Sequence, residues 1–115
     1  MTGYDVLKKV CFLLGYSFEE QVQSLRFTEK IEEFINHISL DLKIETVSSL
    51  TEKIETTSQK REALIYGCAM MLAVSESDGK MATLFADIYN SKRATVLSAT
   101  DTRSDVLPIS NTGWM

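Results

Sequence analysis

One stretch decides the fold of this chain of 115 residues, Ala63-Leu-Ile-Tyr-Gly-Cys-Ala-Met-Met-Leu-Ala-Val74. It is apolar on nearly every side of a helix, and such a helix has to lie at the centre of a domain or in an interface. Gly67 keeps the helix thin, so a neighbouring helix can approach closely, although glycine costs about 1 kcal/mol of helix propensity. We therefore expect a central helix that begins near Gln59, after a hydroxyl cap at Thr57 or Ser58.

Two further segments with helical spacing of apolar residues precede this stretch. The first covers about residues 4 to 14, with the apolar stripe Tyr4, Leu7, Val10, Cys11 and Leu14. It ends at Gly15, a residue suited to the left-handed backbone that closes a helix. Ser17-Phe-Glu-Glu20 then fits a capping box, in which a hydroxyl and a carboxylate each accept a backbone N–H, so a short helical turn is expected there. The second segment is predicted from Thr28 to Leu42, with one apolar stripe: Ile31, Phe34, Ile35, Ile38 and Leu42.

The last segment predicts a helix over about residues 80 to 99 from one stripe: Met81, Leu84, Phe85, Ile88, Tyr89 and Val96. A short turn, Ser75-Glu-Ser-Asp-Gly79, joins it to the central helix, so these two helices are expected to lie antiparallel. Residues 44 to 58 are rich in Ser and Thr and predict an ordered connection pinned by Leu50 and Ile54. The predicted fold is all-α, a small antiparallel bundle of about four helices with an extended C-terminal tail.

The helical pattern stops at Thr100, which divides the chain into a helical domain, residues 1–99, and an extended arm, residues 100–115. Apolar side chains that are costly to leave in water gather in the arm, around one proline: Val106, Leu107, Pro108, Ile109 and Trp114. Two interpretations are open. The arm folds back on its own domain, or it docks on the surface of a partner.

The composition is that of a soluble globular protein and argues against several classes of function. Apolar residues make up 44% and charged residues 24% of the chain, which is unlike a disordered protein. The apolar runs are shorter than the roughly 18 residues of a membrane span, and we expect neither a secretion signal nor a membrane partner. A net charge of −4 has the wrong sign for wrapping phosphates, so specific nucleic-acid binding is not expected.

The residues that carry catalysis or bind metals are few and scattered. His37 is the only histidine, and Cys11 and Cys68 each sit in an apolar run, as expected of reduced core thiols, so zinc-ligand spacing is missing. Glu29 and Glu33 share a helical face, but a dicarboxylate metal site also needs Glu-x-x-His partners. The sequence has no glycine-rich phosphate loop and no nucleophile motif. We expect a protein that is not an enzyme and has no cofactor.

Two motifs resemble a known protein family. The central helix contains Tyr66-Gly67 at the start of a Tyr-Gly-x-Ala-x-x-Leu-Ala run, and after a Glu-x-Asp turn the next helix carries Tyr89-Asn-x-Lys-Arg-Ala94. In this order they resemble the paired-helix core of tailed-phage head-tail connector proteins, also called head-completion adaptors, over about residues 28 to 97. The resemblance implies family-motif or inter-subunit roles for six residues: Tyr66, Gly67, Tyr89, Asn90, Lys92 and Arg93.

What the resemblance implies is a structural part of a virion or prophage-encoded particle. Members of the family bind the portal protein after DNA packaging as a homo-oligomeric, dodecameric ring. The ring extends a channel through which DNA passes without specific binding, and it receives a stopper or tail-completion protein. By the same analogy the arm residues contact the portal: Val106, Leu107, Pro108, Ile109 and Trp114. The implied location is the head-tail interface of the virion, and the host cytoplasm during assembly.

The alternative hypothesis is a small phage-encoded helical regulator that binds DNA or a polymerase subunit. Such a regulator needs a helix-turn-helix with a basic recognition helix. The central helix is apolar, and the last helix has only Lys80, Lys92 and Arg93. Basic residues cluster as two pairs, Lys60-Arg61 at the start of the central helix and Lys92-Arg93 in the last helix. These pairs are suited to ion pairs within the domain, with Glu62 or Asp87, or to pairing with acidic groups on a neighbouring subunit.

Overall fold

The computed structural model describes residues 1–105, and side chains as far as Ser98. This part of the chain forms five helices: α1 (Gly3–Leu14), α2 (Phe18–Gln21), α3 (Leu25–Leu42), α4 (Ser58–Ser75) and α5 (Gly79–Asp105). The predicted all-α fold is confirmed, and the described residues contain no strand beyond one isolated bridge between Thr2 and Lys53. The predicted arm residues lie outside the described residues: Val106, Leu107, Pro108, Ile109 and Trp114.

α4 is the central helix, as expected from its apolar sequence. It packs against α1, α3 and α5, and eight residues of its central and later turns are buried: Ala63, Leu64, Ile65, Gly67, Cys68, Ala69, Leu72 and Ala73. A helix that is surrounded in this way needs no polar face, which explains why the sequence provides none. Over the described residues, no helix combines the length and apolarity that crossing a membrane would require.

α5 runs antiparallel to α4, as predicted from the short turn between them. Glu62 near the start of α4 is paired with Lys92 of α5, whereas Gly67, one turn further along α4, lies against Tyr89. The order of these contacts fixes the opposite direction of the two helices. α5 continues as far as Asp105, past the end near residue 99 that the apolar stripe predicted.

Two predicted helix ends are confirmed by their backbone and side-chain geometry. Gly15 closes α1 with a φ of 78°, in the left-handed region that glycine adopts without steric cost. At the start of α4 the hydroxyl of Thr57 accepts the backbone N–H of Lys60 across 3.2 Å. The cap is therefore Thr57, and Ser58 is the first residue of the helix.

The capping box predicted at Ser17 is only half formed. The hydroxyl of Ser17 accepts the backbone N–H of Glu20 at 3.4 Å, but it donates to the carboxylate of Glu19, and the return bond from Glu20 is missing. The complete reciprocal box lies at the start of α1. There the Thr2 hydroxyl accepts the N–H of Asp5, and the Asp5 carboxylate accepts the N–H of Thr2 across 2.9 Å.

Two residues of the predicted apolar stripes lie outside the core. Tyr4 of α1 is 36% exposed and Leu84 of α5 is 48% exposed, whereas Val6 is fully buried although the predicted stripe omitted it. Each exposed residue lies at the edge of its helix's buried side, roughly 90° to 120° round the helix from the centre of the buried residues. α1 and α5 are each packed on one side only, so side chains at the edge of the stripe meet water.

The connection between α3 and α4 is ordered without being helical, as predicted. Leu50 and Ile54 are buried and pin it to the core, and the backbone of Leu50 accepts the N–H of Tyr4 across 3.1 Å. The side-chain amide of Asn36 adds a clamp that the sequence did not reveal. It donates to the carbonyl of Val47 and accepts the N–H of Val47, both at 2.8 Å.

Candidate interaction surfaces

The six motif residues lie on α4 and α5, and they differ in exposure. Gly67 and Tyr89 are buried, and Asn90 is exposed. The other three are partly buried: Tyr66, Lys92 and Arg93. Most of the motif therefore holds the helices of one chain together.

Gly67 sets the distance between three helices. A Cβ atom added there would lie 2.8 Å from Cγ2 of Ile38 in α3 and 2.9 Å from Cε1 of Tyr89 in α5. Non-bonded carbon atoms do not approach so closely, because their optimal separation is about 3.5 to 4.0 Å. The close helix approach expected at this position is confirmed, and α3 and α5 both use it.

Asp41 of α3 is the shared partner of two motif residues. The Tyr89 hydroxyl donates to Oδ2 of Asp41 at 2.5 Å. Arg93 donates from Nε to the same oxygen at 2.6 Å and from Nη2 to Oδ1 at 3.1 Å, in the forked geometry typical of an arginine-carboxylate pair. The sequence had indicated Glu62 or Asp87 as acidic partners for this part of α5. Asp41 was missed because it lies 52 residues from Arg93.

The protonation states of this cluster are set by its own hydrogen bonds. The Arg93 guanidinium, and after it the Tyr89 hydroxyl, hold the pKa of the Asp41 carboxyl below its usual value. Burial of the ring, together with the hydrogen bond to the carboxylate, raises the pKa of Tyr89. At neutral pH the carboxylate is therefore ionised and the phenol is protonated. The cluster ties α5 to α3.

Lys92 is held by partners on α4. Its Nζ lies 3.0 Å from Oε1 of Glu62 and 5.4 Å from the ring centroid of Tyr66. Of the two acidic partners considered from the sequence, Glu62 is the one that binds this lysine. Within one copy, Asn90 is thus the motif residue left at the surface, and contact of the motif with another subunit remains a prediction.

The residues considered for catalysis are an exposed histidine and two buried thiols. His37 is exposed on the outer side of α3. Cys11 and Cys68 are buried free thiols, and burial raises the pKa of each, which keeps them protonated. Among residues 1–98, no three His, Cys, Asp or Glu side chains are grouped closely enough to hold a metal ion.

The side of the molecule formed by α1 and the start of α4 is apolar at its centre and basic at its rim. We call it the basic face and define it by six residues: Lys8, Lys9, Phe12, Leu13, Arg61 and Tyr66. Phe12 is 84% exposed. The two carboxylates nearby are already engaged, because Asp5 caps α1 and Glu62 pairs with Lys92. Within the described chain, none of the three cations of the face forms an ion pair.

A second apolar surface lies on α3 and the later turns of α4, and its rim is acidic. We call it the acidic face and define it by five residues that line one groove, Glu33, Phe34, His37, Leu40 and Met71, together with Glu29, which precedes Glu33 by one turn of α3. Leu40 is 71% exposed. Glu29 and Glu33 are one helical turn apart on the same side of α3. Neither carboxylate has an ion-pair partner in the part of the chain that the structure describes.

The two faces use different parts of α4. Tyr66 belongs to the basic face and Met71 to the acidic face. They are five positions apart, which at about 100° per residue places their side chains about 140° apart round the helix. Arg61, also of the basic face, lies about 80° from Met71 by the same measure and about 15 Å before it along the helix. The two faces are therefore separate surfaces.

Comparisons with protein-family models, with curated proteins and with solved structures find no match to this chain. What bears on function is therefore the chain's own residues, namely the two motifs on α4 and α5 and the two charged apolar faces.

Proposed function

We propose that this protein is a structural adaptor at the head-tail interface of a tailed-phage virion or of a prophage-encoded particle. It binds the portal protein as a ring after DNA packaging, extends the DNA channel and receives the stopper or tail-completion protein. One observation carries the proposal. The motifs Tyr66-Gly67 and Tyr89-Asn-x-Lys-Arg93, which resemble those of the connector family, lie side by side and lock α4 and α5 together.

The surface chemistry is compatible with such a part. Phe12 and Leu40 expose most of their apolar area on different sides of the molecule, which is unfavourable in isolation and favourable for a protein that is enclosed by neighbours. The net charge of −4 suits a channel wall along which DNA slides, because few phosphates would be neutralised and few counterions released.

We assign the portal contact to the arm, whose residues are Val106, Leu107, Pro108, Ile109 and Trp114. In general, a segment that becomes ordered only on docking loses conformational entropy at that moment. Such a segment can therefore link binding to the completion of packaging. A proline among apolar side chains also favours an extended segment that lies along another protein.

An affinity purification tests this function. The tagged full-length protein is recovered from cells that produce the particle, and everything retained is identified by mass spectrometry. Recovery of a portal protein and a tail-completion protein in comparable amounts would support the adaptor. Recovery of polymerase subunits or nucleic acid without structural proteins would overturn it and favour the regulator.

The role of the arm is tested by a chain that ends at Asp105. The core of the bundle is closed by residues before Ser98, so the shortened protein should keep its helical circular dichroism and its melting temperature. It should no longer retain the portal protein. If the shortened chain unfolds, the arm belongs to the folded domain and the assignment is wrong. A Trp114→Ala variant of the full chain checks the same contact with a single side chain.

A further inference from the structure

We propose that the basic face is the docking site for a short acidic amphipathic helix of another protein. The apolar side of that helix lies on Phe12, and its carboxylates meet Lys9 and Arg61. The site consists of residues of α1 and α4 and does not depend on the adaptor function proposed above.

The basic face is one continuous groove between α1 and α4. It consists of two depressions, and both are lined by Lys9 and Phe12. Along α1 the groove extends from Asp5 to Leu13, eight positions or about 12 Å. The apolar side chains of an amphipathic helix at positions i, i+3 or i+4, and i+7 cover about the same distance. The groove therefore has the length that two turns of a docked helix need.

The centre of the groove is apolar and open to water. Phe12 is 84% exposed, more than any other large apolar side chain among residues 1–98. Leu13 and Tyr66 beside it are partly buried, and Ile65 is a buried part of the groove wall. An exposed aromatic ring among partly buried apolar side chains, with charges at the rim, is typical of surfaces that bind another protein. The partner therefore presents apolar side chains to this groove.

The charges at the rim indicate that the partner is acidic. The three cations of the face form no ion pair within the described chain. Of the two carboxylates that line the groove, Asp5 accepts hydrogen bonds from Thr2, and Glu62 pairs with Lys92. With Lys92 included, four cations stand against two carboxylates, so the groove has a net charge of +2 on a chain whose net charge is −4. Opposite charges on a partner favour association and fix its orientation.

Arg61 also lacks a hydrogen-bond acceptor. Its Nε is buried and has no hydrogen-bond partner among the described residues. A carboxylate binds a guanidinium group through Nε and one Nη, as Asp41 binds Arg93 in this protein. An acidic side chain of the partner would supply the acceptor that Arg61 lacks. Because Arg61 and Phe12 line the same depression, that carboxylate and an apolar side chain can come from one short segment.

An acidic peptide suits the groove better than nucleic acid does. A long polyanion meets the repulsion of a chain whose net charge is −4, whereas the charges of a short peptide act mainly within the Debye length, about 8 Å at physiological ionic strength. Bases of single strands stack on aromatic rings. The groove wall also contains the aliphatic side chains of Leu13 and Ile65, which match apolar side chains of a peptide.

A selection on the full-length protein tests the chemistry of the partner without assuming its sequence. Random peptides of about 16 residues, long enough for four helical turns, are selected on the immobilised wild type. Peptides that also bind the Phe12→Ser variant are then removed. The peptides that remain should combine Asp or Glu with Leu, Phe or Trp at helical spacing. Their binding should weaken as the salt concentration rises, because salt screens exposed charges.

Fluorescence anisotropy of one labelled selected peptide then measures the contribution of each groove residue. Phe12→Ser should weaken binding about tenfold or more, and Lys9→Gln and Arg61→Gln about threefold or more each. Leu25→Ser and Lys80→Gln are the matched controls, because these side chains are also exposed but line neither depression, and they should leave binding unchanged. Phe12 and Lys9 are exposed, so their variants should keep the circular dichroism of the wild type.

Three results would overturn the proposal. One is a selection that leaves no peptide, or only peptides without carboxylates. Another is a single-stranded oligodeoxynucleotide that binds the wild type and is released by the Phe12→Ser and Lys9→Gln substitutions, which would make the groove a nucleic-acid site. The third is a selected peptide that binds the chain ending at Asp105 but not the full chain, which would make the arm the occupant of the groove. Retention of the portal protein in the affinity purification is a separate measurement and does not depend on any of these results.

Discussion

The hydroxyl of Tyr89 donates a hydrogen bond to Asp41 across 2.5 Å, and so joins α5 to α3 over a separation of 48 residues. On its way to Asp41 the ring of Tyr89 lies against the backbone of α4 at Gly67. Arg93 binds the same carboxylate one turn later. The side chain of Tyr89 therefore connects the close packing at Gly67 with the polar cluster at Asp41. A substitution at either site should change the packing or hydrogen bonding at the other.

Two substitutions of Tyr89 separate the contribution of its ring from that of its hydroxyl group. Tyr89→Ala removes a buried ring between α3 and α4 and should lower the free energy of unfolding by about 3 to 5 kcal/mol. Tyr89→Phe keeps the ring and loses only the hydrogen bond to a charged group, so the loss should be about 1.5 to 3 kcal/mol. Urea unfolding followed by circular dichroism gives both values. A loss below about 1 kcal/mol for Tyr89→Ala would contradict burial of the ring.

Gly67 provides the complementary test from the backbone side. Gly67→Ala improves helix propensity by about 1 kcal/mol, but its Cβ would overlap Ile38 and Tyr89, so we expect a net loss of about 1 to 3 kcal/mol. Gly79→Ala is the control. Nothing lies within 4 Å of a Cβ atom at that position, so the same exchange there should leave the protein as stable or stabilise it by up to about 1 kcal/mol. Equal effects at the two positions would show that propensity, and not packing, governs Gly67.

Local sequence patterns predicted the parts of the fold that local forces control. An all-round apolar stretch can be satisfied only at the centre of a bundle, so α4 was placed correctly. Gly15 and Thr57 were identified because cap chemistry acts over three or four residues. Tyr4 and Leu84 were misassigned because a local pattern does not show which neighbours pack against a helix. Those neighbours decide whether a residue at the edge of an apolar stripe is buried or exposed.

The candidate surfaces depend on contacts between distant parts of the chain, which spacing does not encode. Lys8 and Lys9 form one surface with Arg61, more than 50 positions away, only after α1 has packed on α4. In the sequence, Asp41 is a polar residue at the boundary of an amphipathic helix, and nothing local distinguishes it. Its role depends on the contact with Arg93, which forms only in the folded chain. The motif residues were identified because the resemblance names them together. Only the three-dimensional packing shows which of them make contacts within the chain and that Asn90 is exposed.

Acid should weaken the link between α3 and α5. The pKa of Asp41 is lowered from its ordinary value of 3.8, chiefly by its hydrogen bonds from Arg93. A carboxyl with a lowered folded-state pKa stabilises the protein above its unfolded-state pKa, and that stabilisation is lost as pH falls through the folded-state value. The difference in unfolding free energy between the wild type and Asp41→Asn should therefore be constant above about pH 5 and shrink below pH 3.8.

Arg93→Gln serves as the control for this pH dependence. It removes the main cause of the shift and leaves the Tyr89 hydrogen bond in place. In that background, the pH-dependent part of the Asp41→Asn effect should be smaller, when both pairs of proteins are unfolded by urea between neutral pH and pH 3. A pH dependence that is identical with and without Arg93 would mean that the arginine does not set the ionisation of Asp41.

Asn36 and Ser39, three positions apart on α3, should respond in opposite ways to the same change. The Asn36 amide satisfies both backbone groups of Val47, each at 2.8 Å, and so anchors the connection to α4. Asn36→Ala leaves those partly buried groups unpaired and should cost about 2 to 3 kcal/mol. The Ser39 hydroxyl is buried without a hydrogen-bond partner among the described residues. Ser39→Ala removes that unsatisfied group and improves helix propensity, so stability should stay equal or rise. Thermal and urea unfolding of both variants measure the contrast, and a large loss in Ser39→Ala would reveal a hydroxyl partner that matters to the fold.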